Sequence, residues 1–157
     1  MTTAATAPDR YRHAVIAHIM LDDASAAIDF YQRALGASEL FRIADSDGRI
    51  LHAEISIGGA VVMIGDADPP FVAPTTSGST TVGLHVYLDN VDTGLRKAEQ
   101  AGGEILQSAQ DMFYGDRSGM FRDPFGHIWV LLAHQEDVEL EEIKRRGQAM
   151  LSAHTEA

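Results

Sequence analysis

Two histidines, His18 and His85, lie 67 residues apart, each inside a short apolar run: Val15 to Leu21 and Val82 to Leu88. An imidazole near neutral pH can ligate a metal, hydrogen-bond a small molecule or carry a proton. A second group of interest is His52, Glu54 and Ser56, which alternate with Leu51, Ala53, Ile55 and Ile57. That period of two is a strand with one apolar face, so the three polar side chains share the other face. A carboxyl in an apolar hollow has its pKa raised toward the working range of a general base, which makes Glu54 a candidate base. The plainer reading pairs it with Arg42, Arg49 or another basic group.

The elements that must position these groups come twice. Val15 to Leu21 reads as a strand. Asp23 to Ala34 reads as a helix, with Ala27, Ile28, Tyr31 and Leu35 at helical spacing and Gly36 at its stop. Strands are expected at Glu39 to Ile43, Arg49 to Ile57 and Ala60 to Ile64, the last two joined by Gly58-Gly59. Residues 66–80 hold Pro69, Pro70 and Pro74 among Ser, Thr and Gly and read as a linker. The order then recurs: strand Val82 to Leu88, helix Val91 to Ala101, strands Glu104 to Gln107, Asp116 to Arg122 and His127 to Ala133. An offset of 67 pairs His18 with His85, Gly36 with Gly103, Gly48 with Gly115 and Gly59 with Gly126. Such self-similarity is the mark of a duplicated unit.

The fold class is therefore α+β: two paired βαβββ modules forming a curved mixed sheet around a concave pocket, plus a C-terminal helix. Residues 1–13 are expected to be a disordered tail, 14–65 the first module, 66–80 the linker, 81–134 the second module, and 135–157 a charged helix and tail. In that helix, Glu141 stands four residues before Arg145 and Glu142 four before Arg146.

Composition removes whole classes of function. The 157 residues carry 12 basic and 23 acidic side chains, a net charge of −11, so nucleic acid and anionic membrane are unfavourable partners. No cysteine is present, which excludes disulfides, thiolate metal sites and thiol nucleophiles, and fits a cytoplasmic location. No apolar run nears the roughly eighteen residues of a membrane helix. There is no phosphate-cradling glycine loop, nucleophile elbow or dinucleotide fingerprint.

Several motifs together resemble the vicinal oxygen chelate superfamily (glyoxalase I, extradiol dioxygenases, fosfomycin-resistance and bleomycin-binding proteins), and most of all its PhnB-like, glyoxalase-like branch. They are Asp23 with Ala27-Ile28-Asp29-Phe30-Tyr31, the hairpin His52-Ala53-Glu54 to Gly58-Gly59, Leu84-His85-Val86-Tyr87, Tyr114-Gly115-Asp116-Arg117, and Asp123-Pro124-Phe125-Gly126-His127. The resemblance implies a homodimer. It also implies, for metal-dependent members, four ligand positions that fall here on Ile16, Met63, Gly83 and Val130, none a good ligand for a hard or borderline ion.

Strand parity puts His18, Met20, Met63, His85, Tyr87 and Val130 on the face of those four positions, with His52 and Glu54 beside them. Two readings stay open. In the first, the hollow binds a small apolar or aromatic molecule without chemistry, as in drug sequestration or resistance. Its wall is His18, Met20, His52, Glu54, Met63, His85, Tyr87 and Val130, with Phe113 and Tyr114 as flat surfaces and Arg117 either as a clamp for an anionic group or paired with Asp111 or Asp116. In the second, His18, His85 and Glu54 form a displaced site for a divalent metal (Zn, Fe, Mn or Ni) serving a lyase, isomerase or dioxygenase. Trp129 reads as core, His127 as turn-capping or exposed, and His13, His134 and His154 carry no signal.

Overall fold

The structure is a computed structural model that describes residues 8–12 and 14–155. The first module contains β1 (His18–Leu21), α1 (Ala24–Leu35), β2 (Ser38–Ala44), β3 (Ile50–Ile57) and β4 (Ala60–Asp66). Its four strands are ordered β1-β4-β3-β2, with β1 parallel to β4 and the other pairs antiparallel. A one-turn helix, α2 (Pro74–Ser77), follows in the stretch expected to be linker. The second module repeats the plan with β5 (Gly83–Tyr87), α3 (Val91–Ala101), β6 (Glu104–Asp111), β7 (Asp116–Arg122) and β8 (Ile128–His134), ordered β5-β8-β7-β6. The chain ends in α4 (Leu140–Thr155).

The cause of each helix boundary is visible. Asp23 caps α1 by accepting from the Ala26 amide, and Asn90 caps α3 by accepting from Thr93. Both helices stop at a left-handed glycine, Gly36 and Gly102. The apolar stripe of α1 (Ala27, Ile28, Tyr31, Ala34) is buried together with Ala53, Ile55 and Ile57 of β3. Asp66 ties three elements at one corner: its two oxygens accept from Ala24 N at 2.8 Å and Ile50 N at 2.7 Å. Asp123 does the same for the β7–β8 turn, accepting from the amides of Phe125 and His127 and from Trp129 Nε1. Trp129 is core, as expected, and stacks on Phe121 with ring centroids 6.5 Å apart. His127 is buried, so of its two expected placements the exposed one is excluded.

Register shows how closely the modules correspond. His18 lies across from Met63 and His85 across from Val130, which preserves the offset of 67. On the next strand the correspondence slips by one. Glu54 opposes Met63 while Met120 opposes Val130, so Glu54 matches Met120 and not Phe121. The cause is the β7–β8 turn: residues 57–60 separate the Ser56–Val61 pair, and residues 123–127 separate Arg122 from Ile128.

Three local expectations are corrected. β1 begins at His18, not Val15; Val15 is fully exposed and has no apolar layer to join. β6 runs on to Asp111, because it pairs with β7 as far as Arg117. In α4, Glu141 takes Lys144 at i+3 rather than Arg145, and Glu142 holds both Arg145 and Arg146.

Candidate functional site

The open face of the first sheet, opposite α1, gathers five of the expected site residues: His18, Met20, His52, Glu54 and Met63. Laterally paired residues share a face, and one row crosses all four strands: His18 on β1, Met63 on β4, Glu54 on β3 and Phe41 on β2. His52, two residues before Glu54, projects to the same side. The ring of His52 meets His18 edge-on at 5.4 Å and meets Phe41 at 5.7 Å. Three rings thus border the row. Phe41 reaches it because β2 carries a bulge between Glu39 and Phe41. His18 reaches across β4 because Gly65 leaves room: a Cβ there would stand 3.3 Å from the His18 Nε2.

Glu54 is the unusual member, a carboxylate only 2% exposed. The hydroxyl of Tyr11 donates to its Oε1, and His52 Nε2 stands 3.6 Å from the same oxygen. Arg10 Nε stands 3.4 Å from Oε2 as an ion-pair contact. Oε2 accepts no hydrogen bond among the described residues. Burial pushes the Glu54 carboxyl up, but Tyr11, Arg10 and His52 together outweigh it and hold the group below the usual carboxylate range. This corrects the expected rise. Glu54 is an ionised acceptor at neutral pH and a poor general base. His18 is held below the usual imidazole value by partial burial and by neighbouring His52, so at neutral pH it is uncharged.

Tyr11 and Arg10 come from the stretch expected to be disordered tail. Residues 1–7 and 13, also assigned to that tail, lie outside the described residues. Asp9–Tyr11 form a 3-10 turn, and the Arg10 guanidinium lies 4.3 Å from the centroid of the Tyr11 ring.

The second module carries its own row: His85, Val130, Met120 and Gln107. The remaining expected residues lie elsewhere in it. Tyr87 donates to Asp116 Oδ2 at 2.6 Å, and His134 bridges Asp116 and Asp137 at 2.8 and 2.7 Å. Tyr87 and Tyr114 border an open cavity of about 380 Å³ that Leu140 and Ile143 of α4 also line. His134, read from sequence as carrying no signal, is the hinge pin of this corner. Its hydrogen bonds to Asp116 and Asp137 raise its pKa. Phe113 packs against Gly147 of α4 and edge-on against Tyr114. Arg117, expected to clamp an anion, is occupied by Asp92, Asp111 and the Ala109 carbonyl.

A metal fits these residues poorly. Ile16, Met63, Gly83 and Val130 offer no nitrogen or oxygen side-chain donor. Among the described residues no three His, Asp or Glu side chains gather as a metal-binding group.

Residues 10–131 match the Glyoxalase/Bleomycin resistance protein/Dioxygenase superfamily. The chain belongs to that superfamily. Among relatives of this glyoxalase-like domain, an uncharacterised protein of Mycobacterium tuberculosis H37Rv is 38% identical over 132 residues, covering 81% of this chain and 78% of the relative. Protein YjdN of Escherichia coli K12 is 32% identical over 129 residues, covering 68% and 85%. The crystal structure of TioX from Micromonospora sp. ML1 superposes with a TM-score of 0.62 at 27% identity, covering 80% of this chain and 99% of that one. A fosfomycin resistance protein of Listeria monocytogenes, in complex with Mn(II) and sulfate, shares the fold alone at 18% identity and a TM-score of 0.60, covering 86% and 97%. No described helix is long and apolar enough to cross a membrane.

Proposed function

We propose that this superfamily member binds a flat aromatic small molecule on the open face of its first sheet, and that sequestering the compound is its role. The observation that carries this reading is the ring series Phe41–His52–His18 along the His18–Met63–Glu54–Phe41 row. It combines three flat rings, one apolar and two imidazoles, with the buried carboxylate of Glu54, the composition of a ligand wall. The lowered pKa of Glu54 speaks for an acceptor rather than a base. His85 and Val130 mark the corresponding row of the second sheet as a second candidate surface, and a homodimer in solution is part of the same proposal.

A thermal-shift screen of planar aromatic compounds against the full chain tests the reading, since a ligand that binds only the folded state raises its melting temperature. Hits that Met63→Trp abolishes support it, because the indole would fill the row. Hits insensitive to that change, or stabilisation by a divalent metal alone, overturn it.

A further inference from the structure

We propose that the Arg10–Tyr11 turn is an internal stand-in for the ligand, and that the ligand is a planar aromatic cation that displaces this turn from Glu54. The inference rests on the binding function proposed above and adds the ligand's charge and what it must push aside.

Four observations converge. Glu54 is not required by the sheet, because the equivalent point of the second module is Met120. An ionised carboxylate taken from water needs most of its lone pairs filled, yet Oε2 accepts no hydrogen bond among the described residues. What stands over Glu54 is itself a cation beside an aromatic ring: Arg10 lies 4.3 Å from the Tyr11 ring centroid, with Tyr11 bonded to Oε1 and Arg10 3.4 Å from Oε2. The turn is lightly held: none of its three residues is buried and its N-cap makes no side-chain hydrogen bond.

A ligand with a protonated ring nitrogen or an aryl ammonium group could donate directly to Oε2 and complete the carboxylate's bonding. Its ring would lie along Phe41, His52 and His18. His18 is uncharged at neutral pH and does not repel it. The net charge of −11 draws cations toward the protein.

The test uses the full chain and three ring systems of matched size: 9-aminoacridine (cation), 9-anthracenemethanol (neutral) and anthracene-9-carboxylate (anion). Affinities come from fluorescence titration. The cation is expected to bind at least about tenfold more tightly than either of the others, as befits a hydrogen bond to a charged partner. Glu54→Gln should bring the cation down to the neutral compound's affinity and leave the neutral compound unchanged. Removing the stand-in with Arg10→Ala, Tyr11→Phe should tighten the cation several-fold. A readout independent of any variant is trypsin cleavage after Arg10 and Arg12 in the unaltered chain, which the cation should accelerate. Charge-blind binding, or cleavage that the cation leaves unchanged or slows, overturns the inference while the aromatic-binding function stands. If none of the three rings binds, the function itself fails and the inference with it.

Discussion

Glu54 and Met120 occupy the same point of a repeated design, each across from the β4 or β8 residue that in turn opposes His18 or His85. One module places an ionised side chain where the other places a thioether. A buried ion is costly unless it is fully paired, and an apolar residue of similar volume is often as stable or more so. The asymmetry sets the open face of the first sheet apart from that of the second.

The ring series gives the first prediction. Phe41→Ala and His52→Ala should each weaken binding of a flat aromatic probe by about 0.5–1.5 kcal/mol, roughly three- to tenfold, the scale of one aromatic contact. Leu106→Ala, on β6 of the other module, is the control and should change affinity by less than about twofold, within the few tenths of a kcal/mol of a surface change. Titration of the three variants decides it. Equal losses at all three positions would mean a general effect on folding.

Stability of the corner around His134 should depend on pH. Its two aspartate partners raise its pKa above the ordinary imidazole value, so its contribution is full below that value and lost as pH rises through the raised one. The melting temperature should fall as pH rises from about 6.5, the ordinary imidazole value, through the raised one, and His134→Gln should remove that slope. Tyr87, bonded to Asp116, is pushed above its ordinary value and Glu136 is held below its own by Arg146, so both titrate away from this window. A slope that persists in His134→Gln would place the titrating group elsewhere.

Gly115 should tolerate no side chain. It has φ of +100°, its carbonyl accepts from the amides of Gln135 and Glu136, and an added Cβ would stand 2.2 Å from the Glu136 carbonyl oxygen. Gly115→Ala should destabilise the protein by about 3 kcal/mol or more, from left-handed strain together with the backbone clash. Chemical denaturation measures it. A loss under about 1 kcal/mol would mean that the 135–136 segment moves aside freely.

The fold was largely legible because its signals are local. Alternation in 51–57, the stripe of α1, the capping residues Asp23 and Asn90 and the glycine stops each depend on a few neighbours. Parity was enough to put His18, His52, Glu54 and Met63 on one face. What sequence could not supply was register and long-range pairing. Tyr11 and Arg10 meet Glu54 across more than forty residues, and nothing in an Ala/Thr-rich leader marks them. Phe41 arrives through a bulge that alternation cannot foresee. The expected rise in the Glu54 pKa reversed because those unseen partners outweigh burial. Asp116 and His134 face each other only because β7 and β8 pair from opposite ends. Asp111 was legible as a partner of Arg117 because it is near in sequence, whereas Asp92, on a different element, was not.

The most direct measurement is Glu54→Met, which copies the second module's residue into the first. It should raise the melting temperature by about 2–4 °C, the equivalent of roughly 1 kcal/mol in a chain of this size, and at the same time remove binding of the cationic aromatic probe. A variant that melts lower and still binds the probe would show Glu54 to be a structural ion pair and would contradict the account.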